Sequence, residues 1–558
     1  MKWKFLTAIL LSGVIVFSGC SPSNSISEPK AGEGTASSTS TPVNLTWFSD
    51  VSFWDPPSPW NTNPNSVEGQ ITKKTGLTFT IDIPAQDADT KLSLLLASMK
   101  PLPDVMTIIN NDLAKKLIDS GKVWRLDELL KKYDPNSHLL KDFPNDVKQG
   151  LIARDGGWYS YPSHINSNDE RKKYPPSSEF YSENLKYRDN NGIMVNKKLM
   201  QQAGISLDNL KTEDGLLAAY KKIKEIKLTA NGAPVIPLQV DAKGYQDTTL
   251  LTLEMMFGAM PVDKNGKYRD MILAPESKHA LDFMYKAAQA GYFNPNQMTV
   301  DTSGMKAAVL SGSVFSYIGS IANSGFEQMD VWVSPGPILS NQGTKPVLGH
   351  SLTAGTGWMQ TYISKSTKEP ERLAKWLSFM SSNEGLTLHV YGIEGNDYLR
   401  DSKGLVVQTQ QGIKDKKNQS KTGVFAFWSF HNISWLNHVT LAPTKDPGSG
   451  VWDSYEVLTA FGKAKETVIY DNSALSMPPN FFTAGSKIAD RKAQIIAYKQ
   501  AQISKIILAK DANTRDQLYK EMISQLKKLG LDDLDDKINE QFQKQSPKYN
   551  ITLKGVNS

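Results

Sequence analysis

The chain has 558 residues, 39% of them hydrophobic and 22% charged, with a single cysteine and a formal charge of +6. A chain this long exceeds one ordinary hydrophobic core and divides into at least two lobes. One thiol excludes a disulfide framework and a thiolate metal site, and the mature body carries no cysteine nucleophile. The charge, +4 without Lys2 and Lys4, is small for such a body. Lysine-rich spots such as Lys414–Lys417 are interrupted by acids and read as solvated surface, so no nucleic-acid track is expected.

The first predicted element is a targeting segment. Lys2 and Lys4 precede an apolar stretch, Phe5 to Phe17, too short to cross about 30 Å of hydrocarbon as a permanent helix. Phe17-Ser18-Gly19-Cys20 resembles the lipobox of bacterial lipoproteins, departing from it at Phe17, where leucine is usual. That resemblance implies a signal peptide over 1–19 and acylation of Cys20. Two or more acyl chains anchor a protein stably where one is marginal. Residues 20–42 form a tether of Ser, Thr, Pro, Gly and charged residues, unable to bury enough surface to offset its ordering entropy. The expected location is the outer face of the cytoplasmic membrane.

In the body, Val43–Phe48 and Leu77–Ile83 alternate as strands do, and Val67–Lys74 between them fits a helix ending at Thr75-Gly76. Asp89 is placed to cap the next helix, whose face carries Leu92, Leu95, Leu96 and Met99. Pro101 and Pro103 stop it, Val105–Ile109 reads as a buried strand, and Leu113–Ile118 and Leu126–Tyr133 as amphipathic helices. Further helices are predicted over His279–Ala290, from Pro370, and over Thr514–Leu529, with a strand at Val314–Ile318. Helices alternating with short strands predict an α/β fold with covered parallel sheets and a helical finish. There is no internal repeat.

Several blocks resemble the sugar-type solute-binding proteins of ABC importers, particularly the long lipoprotein members of Gram-positive bacteria. They are Lys91–Ile108 (KLSLLLASMKPLPDVMTI), Leu117–Leu130 (LIDSGKVWRLDELL), Gly156–Pro162 (GGWYSYP), Ile193–Gly204 (IMVNKKLMQQAG) and Tyr362–Gly395, which ends in YGIEG. They span most of residues 43–530 in the family's order. The resemblance implies a two-lobe periplasmic-binding-protein-like fold with two or three chain crossings and a ligand cleft between the lobes. The expected partition is 43–160 in lobe 1, 161–340 in lobe 2, 341–385 returning to lobe 1, and 386–558 mainly in lobe 2 and a helical C-terminal region. It also implies a monomer that delivers an oligosaccharide to separate ABC permease subunits. Inter-domain clefts and strand C-terminal ends are where α/β proteins hold ligands.

A sugar offers C–H faces to flat rings and hydroxyls to Asp, Asn, Gln or Arg. Asp50 at the end of the first strand, with Trp54 in the following loop, is one candidate site; a loop acid beside a core aromatic is the plainer reading. Asn110 and Asp112 follow the Pro-Asp strand, where the family places hydroxyl-binding groups, although Asp112 is equally placed to cap a helix. Tyr245 and Asp247 occupy a corresponding position in lobe 2, with a cap again the alternative. After Val314–Ile318 the chain has Gly319-Ser320-Ile321 where many members have a tryptophan platform. Trp358, Trp428 and Trp435 are the candidate substitutes, each weighed against core packing.

A secreted glycosidase is the chemical rival, requiring two carboxylates roughly 5–10 Å apart; a sensor without a transporter is the other. The sequence shows no nucleophile elbow, zinc-protease or phosphate-loop pattern. His431 and His438 lack nearby acids, so no metal or cofactor is expected. Binding without turnover is the expected activity.

Overall fold

The computed structural model describes residues 41–84, 88–98, 100–351, 357–445, 450–478, 481–482 and 486–558. The signal segment, Cys20, nearly all of the tether, Met99 and Gly355 lie outside the described residues. Among the described residues no helix is long and apolar enough to cross a membrane.

The strands that organise the body are β1 (Val43–Ser49), β2 (Leu77–Asp82), β3 (Val105–Ile108), β4 (Tyr161–Pro162), β5 (Asn191–Asn196), β6 (Ile236–Val240), β7 (Val314–Ser320), β8 (Trp332–Val333), β9 (Val347–His350), β10 (Gln360–Ile363) and β11 (Val468–Asp471). Lobe 1 is built on the sheet β2-β1-β3-β10-β4, and lobe 2 on the sheet β8-β5-β7-β6. The expected covered parallel sheets are instead mixed. β1 runs parallel to β2 and β3, but β10 is antiparallel to β3; β6 and β7 are parallel, but β5 is antiparallel to β7. β5 and β10 are the strands by which the chain enters a sheet from the other lobe. They arrive from the opposite end, so no crossover helix sets them parallel.

Local signals fix these elements. Ser66 caps the helix Val67–Thr75 by accepting from the Gly69 N–H, and Gly76 closes it at φ +68°, donating to the Thr72 carbonyl. Helix Pro275–Gln289 begins earlier than the predicted His279, because Pro275 occupies its first turn, where a missing N–H costs nothing.

Lobe 1 has an aromatic core in which Trp47 lies 5.2 Å from Trp54 and 5.4 Å from Trp376, with Phe79, Phe427 and Phe430 around them. Lobe 2 packs Tyr220, Phe257, Phe283 and Phe315 against Ile503, Ile507, Met522 and Leu526 of the C-terminal helices Lys487–Ile507 and Ala512–Lys528. Two stretches sit differently from the expected partition. Val424, Ala426, Phe427 and Phe430 belong to the lobe 1 core rather than to lobe 2. β9 pairs in parallel with β11, and its Leu348 packs in the lobe 2 core, so the return to lobe 1 begins at β10. The apolar run Val424–Phe430 meets the apolar face of β1, which outweighs its nearness in sequence to lobe 2 segments.

The lobes are joined by residues 174–190, by the segment between β9 and β10, and by the segment between helix Ile433–Val439 on lobe 1 and helix Gly450–Lys463 on lobe 2. The first and third connections are bound to each other: the Ser177 hydroxyl donates to the Thr440 carbonyl at 2.7 Å, and the Tyr181 hydroxyl to the Leu441 carbonyl at 3.3 Å.

Candidate functional site

The C-terminal ends of β1 and β3 are tied together by Asp50. Its carboxylate accepts from the Ile109 N–H at 2.9 Å and from the Asn110 N–H at 3.0 Å. Burial raises the Asp50 pKa against the opposing pull of those two N–H groups, and the nearby Asp89 charge adds to the rise. Asn110 caps the helix Asn111–Asp119 through Oδ1 and donates through Nδ2 to Asp89 at 2.6 Å. The cap is therefore Asn110, not Asp112. Asp112 is left exposed on the first turn, where Lys492 of lobe 2 feels its charge; Lys492 itself sits 3.8 Å above the Phe482 ring.

Beside the lobe 1 core lies a run of rings. Phe53 and Trp358 stack with centroids 5.9 Å apart at 22°, and they remain 50% and 42% exposed. His164 meets the edge of Trp358 at 5.7 Å and His431 at 5.4 Å; Phe425 lies 4.3 Å from His431, and the Lys416 ammonium lies 4.0 Å over Phe425. His164 adopts a left-handed backbone at φ +53° and shares a 2.8 Å hydrogen bond between Nδ1 and Ser163 Oγ. Burial, and then the Arg188 charge from the segment leading into β5, pushes the His164 pKa down to about 4. Burial with the charges of His164, His389 and Lys416 depresses His431 further. Both imidazoles are therefore neutral at pH 7.

Arg188 lies at the end of the first connection, just ahead of β5, and Asp241 on lobe 2. Arg188 is solvent-exposed, and partial desolvation lowers its pKa against the opposing pull of Glu327 and Asp189. Asp241, at the end of β6, accepts from the Ser320 N–H at 3.1 Å and from Asn323 Nδ2 at 3.2 Å, while its own N–H donates to Thr249 Oγ1. Gly319 has φ +151°, and a Cβ there would lie 2.7 Å from Asp241 Cβ. The glycine that replaces the expected platform thus leaves space for a buried carboxylate.

The predicted site residues fall into two groups. Asp50, Asn110 and Asp112 cluster at the ends of β1 and β3, Asp247 is exposed on lobe 2, and Trp358 is exposed beside Phe53. The others sit in cores. Trp54 is 3% exposed and donates its indole N–H to the Ala426 carbonyl. Trp435 is 2% exposed beside Tyr391. Tyr245 is buried, with its hydroxyl 2.9 Å from Ser504 Oγ. Trp428 is half-buried and donates to Gln419 Oε1. Sequence reasoning missed Phe53, Arg188, Asp241 and Lys416. Phe53 directly precedes Trp54 and had the same loop signal.

Two cavities lie elsewhere. One of about 350 Å³ within lobe 1 is lined by His138, Glu170 and Asn432, and one of about 520 Å³ against the C-terminal helices by Arg491, Lys537 and Lys544. Among the described residues no group of three or more His, Cys, Asp or Glu is placed to hold a metal ion. His438 donates to the Pro175 carbonyl, while His431 lies buried among rings.

Two mixed sheets joined by three connections define a protein of the two-lobe, cleft-bearing type. The profile of bacterial extracellular solute-binding proteins matches residues 65–387, and the chain belongs to that family. It is similar to the polygalacturonan/rhamnogalacturonan-binding protein YtcQ of Bacillus subtilis, 21% identical over 85% of this chain and 87% of that protein. Its fold is similar to the Streptococcus pneumoniae ABC-transporter substrate-binding protein FusA in complex with kestose (TM-score 0.65, 18% identity, 91% of this chain and 100% of that one). It is also similar to an HMO-binding, ABC-transporter-associated solute-binding protein of Bifidobacterium longum infantis (TM-score 0.60, 13% identity, 90% and 99%).

Proposed function

We propose that the cleft binds an oligosaccharide and that the chain, anchored through an acylated Cys20, delivers it unchanged to the permease of an ABC importer. The observation that carries this reading is the Phe53–Trp358 pair. Two large rings stack with about half their surface exposed, although apolar surface of this size is ordinarily buried. A flat apolar face suits the C–H face of a sugar ring, and the exposed Asp112 and Asp247 carry polar groups suited to its hydroxyls. The similarity to YtcQ, and to the fold of FusA bound to kestose, supports a saccharide over a peptide. Ligand touching both lobes stabilises the closed form by the contacts made only there. The membership of the extracellular solute-binding protein family supports release of the solute unchanged.

The test is a thermal-shift screen of the purified protein against mono- and oligosaccharides, with peptides as controls. Ligand at a hundred times its dissociation constant stabilises the fold by about 2.7 kcal/mol. A saccharide that shifts the melting temperature and is recovered intact supports the reading. A saccharide that is consumed makes the chain an enzyme, and a response confined to peptides overturns the carbohydrate assignment.

A further inference from the structure

The cavity of about 350 Å³ in lobe 1 is lined by the exposed Asp142, Lys173 and Asn383, and by Glu170, Tyr161 and Asn432, each 4% exposed or less. Segments distant in sequence build it: the helix His138–Asp142, β4, the helix Asn168–Lys173, and residues 381–383 at the junction of helices Pro370–Met380 and Asn383–Tyr391. Its wall is rich in acceptors. Glu170 accepts from Asn432 Nδ2 at 2.6 Å through one carboxylate oxygen, and among the described residues no group donates to the other. Ser381 donates its hydroxyl proton to the Leu377 carbonyl at 2.7 Å, and Tyr174 donates to Asn383 Oδ1 at 3.1 Å, so both have only lone pairs left to offer. No hydrogen bond among the described residues engages the Tyr161 hydroxyl. Lys173 lies 5.0 Å over the Tyr174 ring and 3.5 Å from the Asp142 carbonyl, and among the described residues it forms no ion pair. Burial lowers the His138 pKa, so its imidazole adds no charge at pH 7.

The Glu170–Asn432 bond has a plainer use: it ties the helix Asn168–Lys173 to the residue that caps the helix Ile433–Val439. A glutamine oxygen would make that tie equally well. The tie does not explain a carboxylate held nearly out of water by one neutral donor, in a cavity with an unpartnered hydroxyl. Burying charge in this way costs free energy, and a cation arriving at the second oxygen offsets it. Burial raises the Glu170 pKa although the Asn432 bond and the Lys173 charge oppose it, and the Asp146 charge adds to the rise.

We propose that this cavity is a second binding site, separate from the interlobe cleft, for a small organic ammonium ion. Its N–H groups bond to the second oxygen of Glu170, and its carbon skeleton packs against the rings of Phe143, Tyr161 and Tyr174. Aromatic faces attract cations, and the volume lies at the small end of ligand pockets. An anion would meet Asp142 and Glu170 together, and a neutral polyol would leave the Glu170 charge unpaired. The site is independent of the oligosaccharide reading.

The test is calorimetric titration of the protein near neutral pH with benzylammonium and butylammonium, and with benzyl alcohol and butanol as neutral counterparts of the same shape. The ammonium ions should bind about tenfold tighter than the alcohols or more. Glu170→Gln keeps an acceptor for Asn432, so urea unfolding should show no loss of stability, while ammonium affinity falls about tenfold. Glu225→Gln, which removes the same charge from an exposed site on the helix Glu213–Glu225, should change nothing. Saccharide binding should be the same in Glu170→Gln as in the unaltered protein. Absence of ammonium binding, equal binding of the alcohols, or unchanged ammonium affinity in Glu170→Gln overturns the site and leaves the oligosaccharide reading intact. Silence across the saccharide screen would remove that reading and leave this one standing.

Discussion

Replacing Trp358 by alanine removes one ring of the platform while leaving the scaffold in place. Trp358 keeps 42% of its surface exposed in the free protein. For an aromatic side chain of about 200 Å², that leaves roughly 80 Å² for a ligand to cover. At about 25 cal/mol per Å², covering it contributes about 2 kcal/mol, so the variant should bind roughly thirtyfold more weakly. The estimate is an upper one, because a sugar face is only partly apolar. Being half exposed and in contact mainly with Phe53 and His164, Trp358 should cost under about 1 kcal/mol of fold stability when removed. Trp376→Ala is the contrasting variant: that ring is 0% exposed in the lobe 1 core, and its loss should cost about 3–5 kcal/mol of stability. Calorimetric titration with a responding saccharide reads the first effect, and urea unfolding without ligand reads both. Wild-type affinity in Trp358→Ala would refute the platform; a stability loss as large as that of Trp376→Ala would show that the ring serves packing.

Asn110→Ala should lose about 1 kcal/mol of stability with its helix cap; Asp112→Ala should leave urea unfolding unchanged but weaken saccharide binding. Burial raises the Glu68 carboxyl to about 7, so its folded pKa lies above the unfolded one. Its stabilising contribution is therefore full below about pH 4.5 and lost as pH rises through about 7, a difference on the order of 3 kcal/mol. Glu68→Gln should flatten that dependence and be the more stable protein at pH 8, which urea unfolding at pH 5 and pH 8 measures. Gly319→Ala should destabilise the protein by about 1–3 kcal/mol, because φ +151° is strained for alanine and the new methyl meets Asp241. Cys20→Ser should release the chain from membranes in fractionated cells without changing its melting temperature.

The strands and helices were legible where periodicity and caps agree. β1 alternates over Leu45 and Trp47, and Ser66 and Gly76 bracket the helix between β1 and β2. The fold class followed from the order of the family-like blocks. The direction of β5 and β10 was not legible, because strand direction depends on which lobe the chain has just left. Tryptophans were the least readable residues. Trp54, Trp358 and Trp435 all sit in polar or aromatic stretches of the sequence, yet Trp54 and Trp435 fill cores while Trp358 stays 42% exposed. What separates them is whether another segment covers the ring, as Ala426 covers Trp54, and that segment lies hundreds of residues away.

The most direct test of the account is the crystal structure of the protein with the saccharide that responds in the thermal screen. The account predicts a sugar ring lying on Phe53 and Trp358, with its polar groups reaching residues of both lobes. A saccharide bound in the cavity beside His138 and Asn432 or against the C-terminal helices, with the platform still exposed, would contradict it.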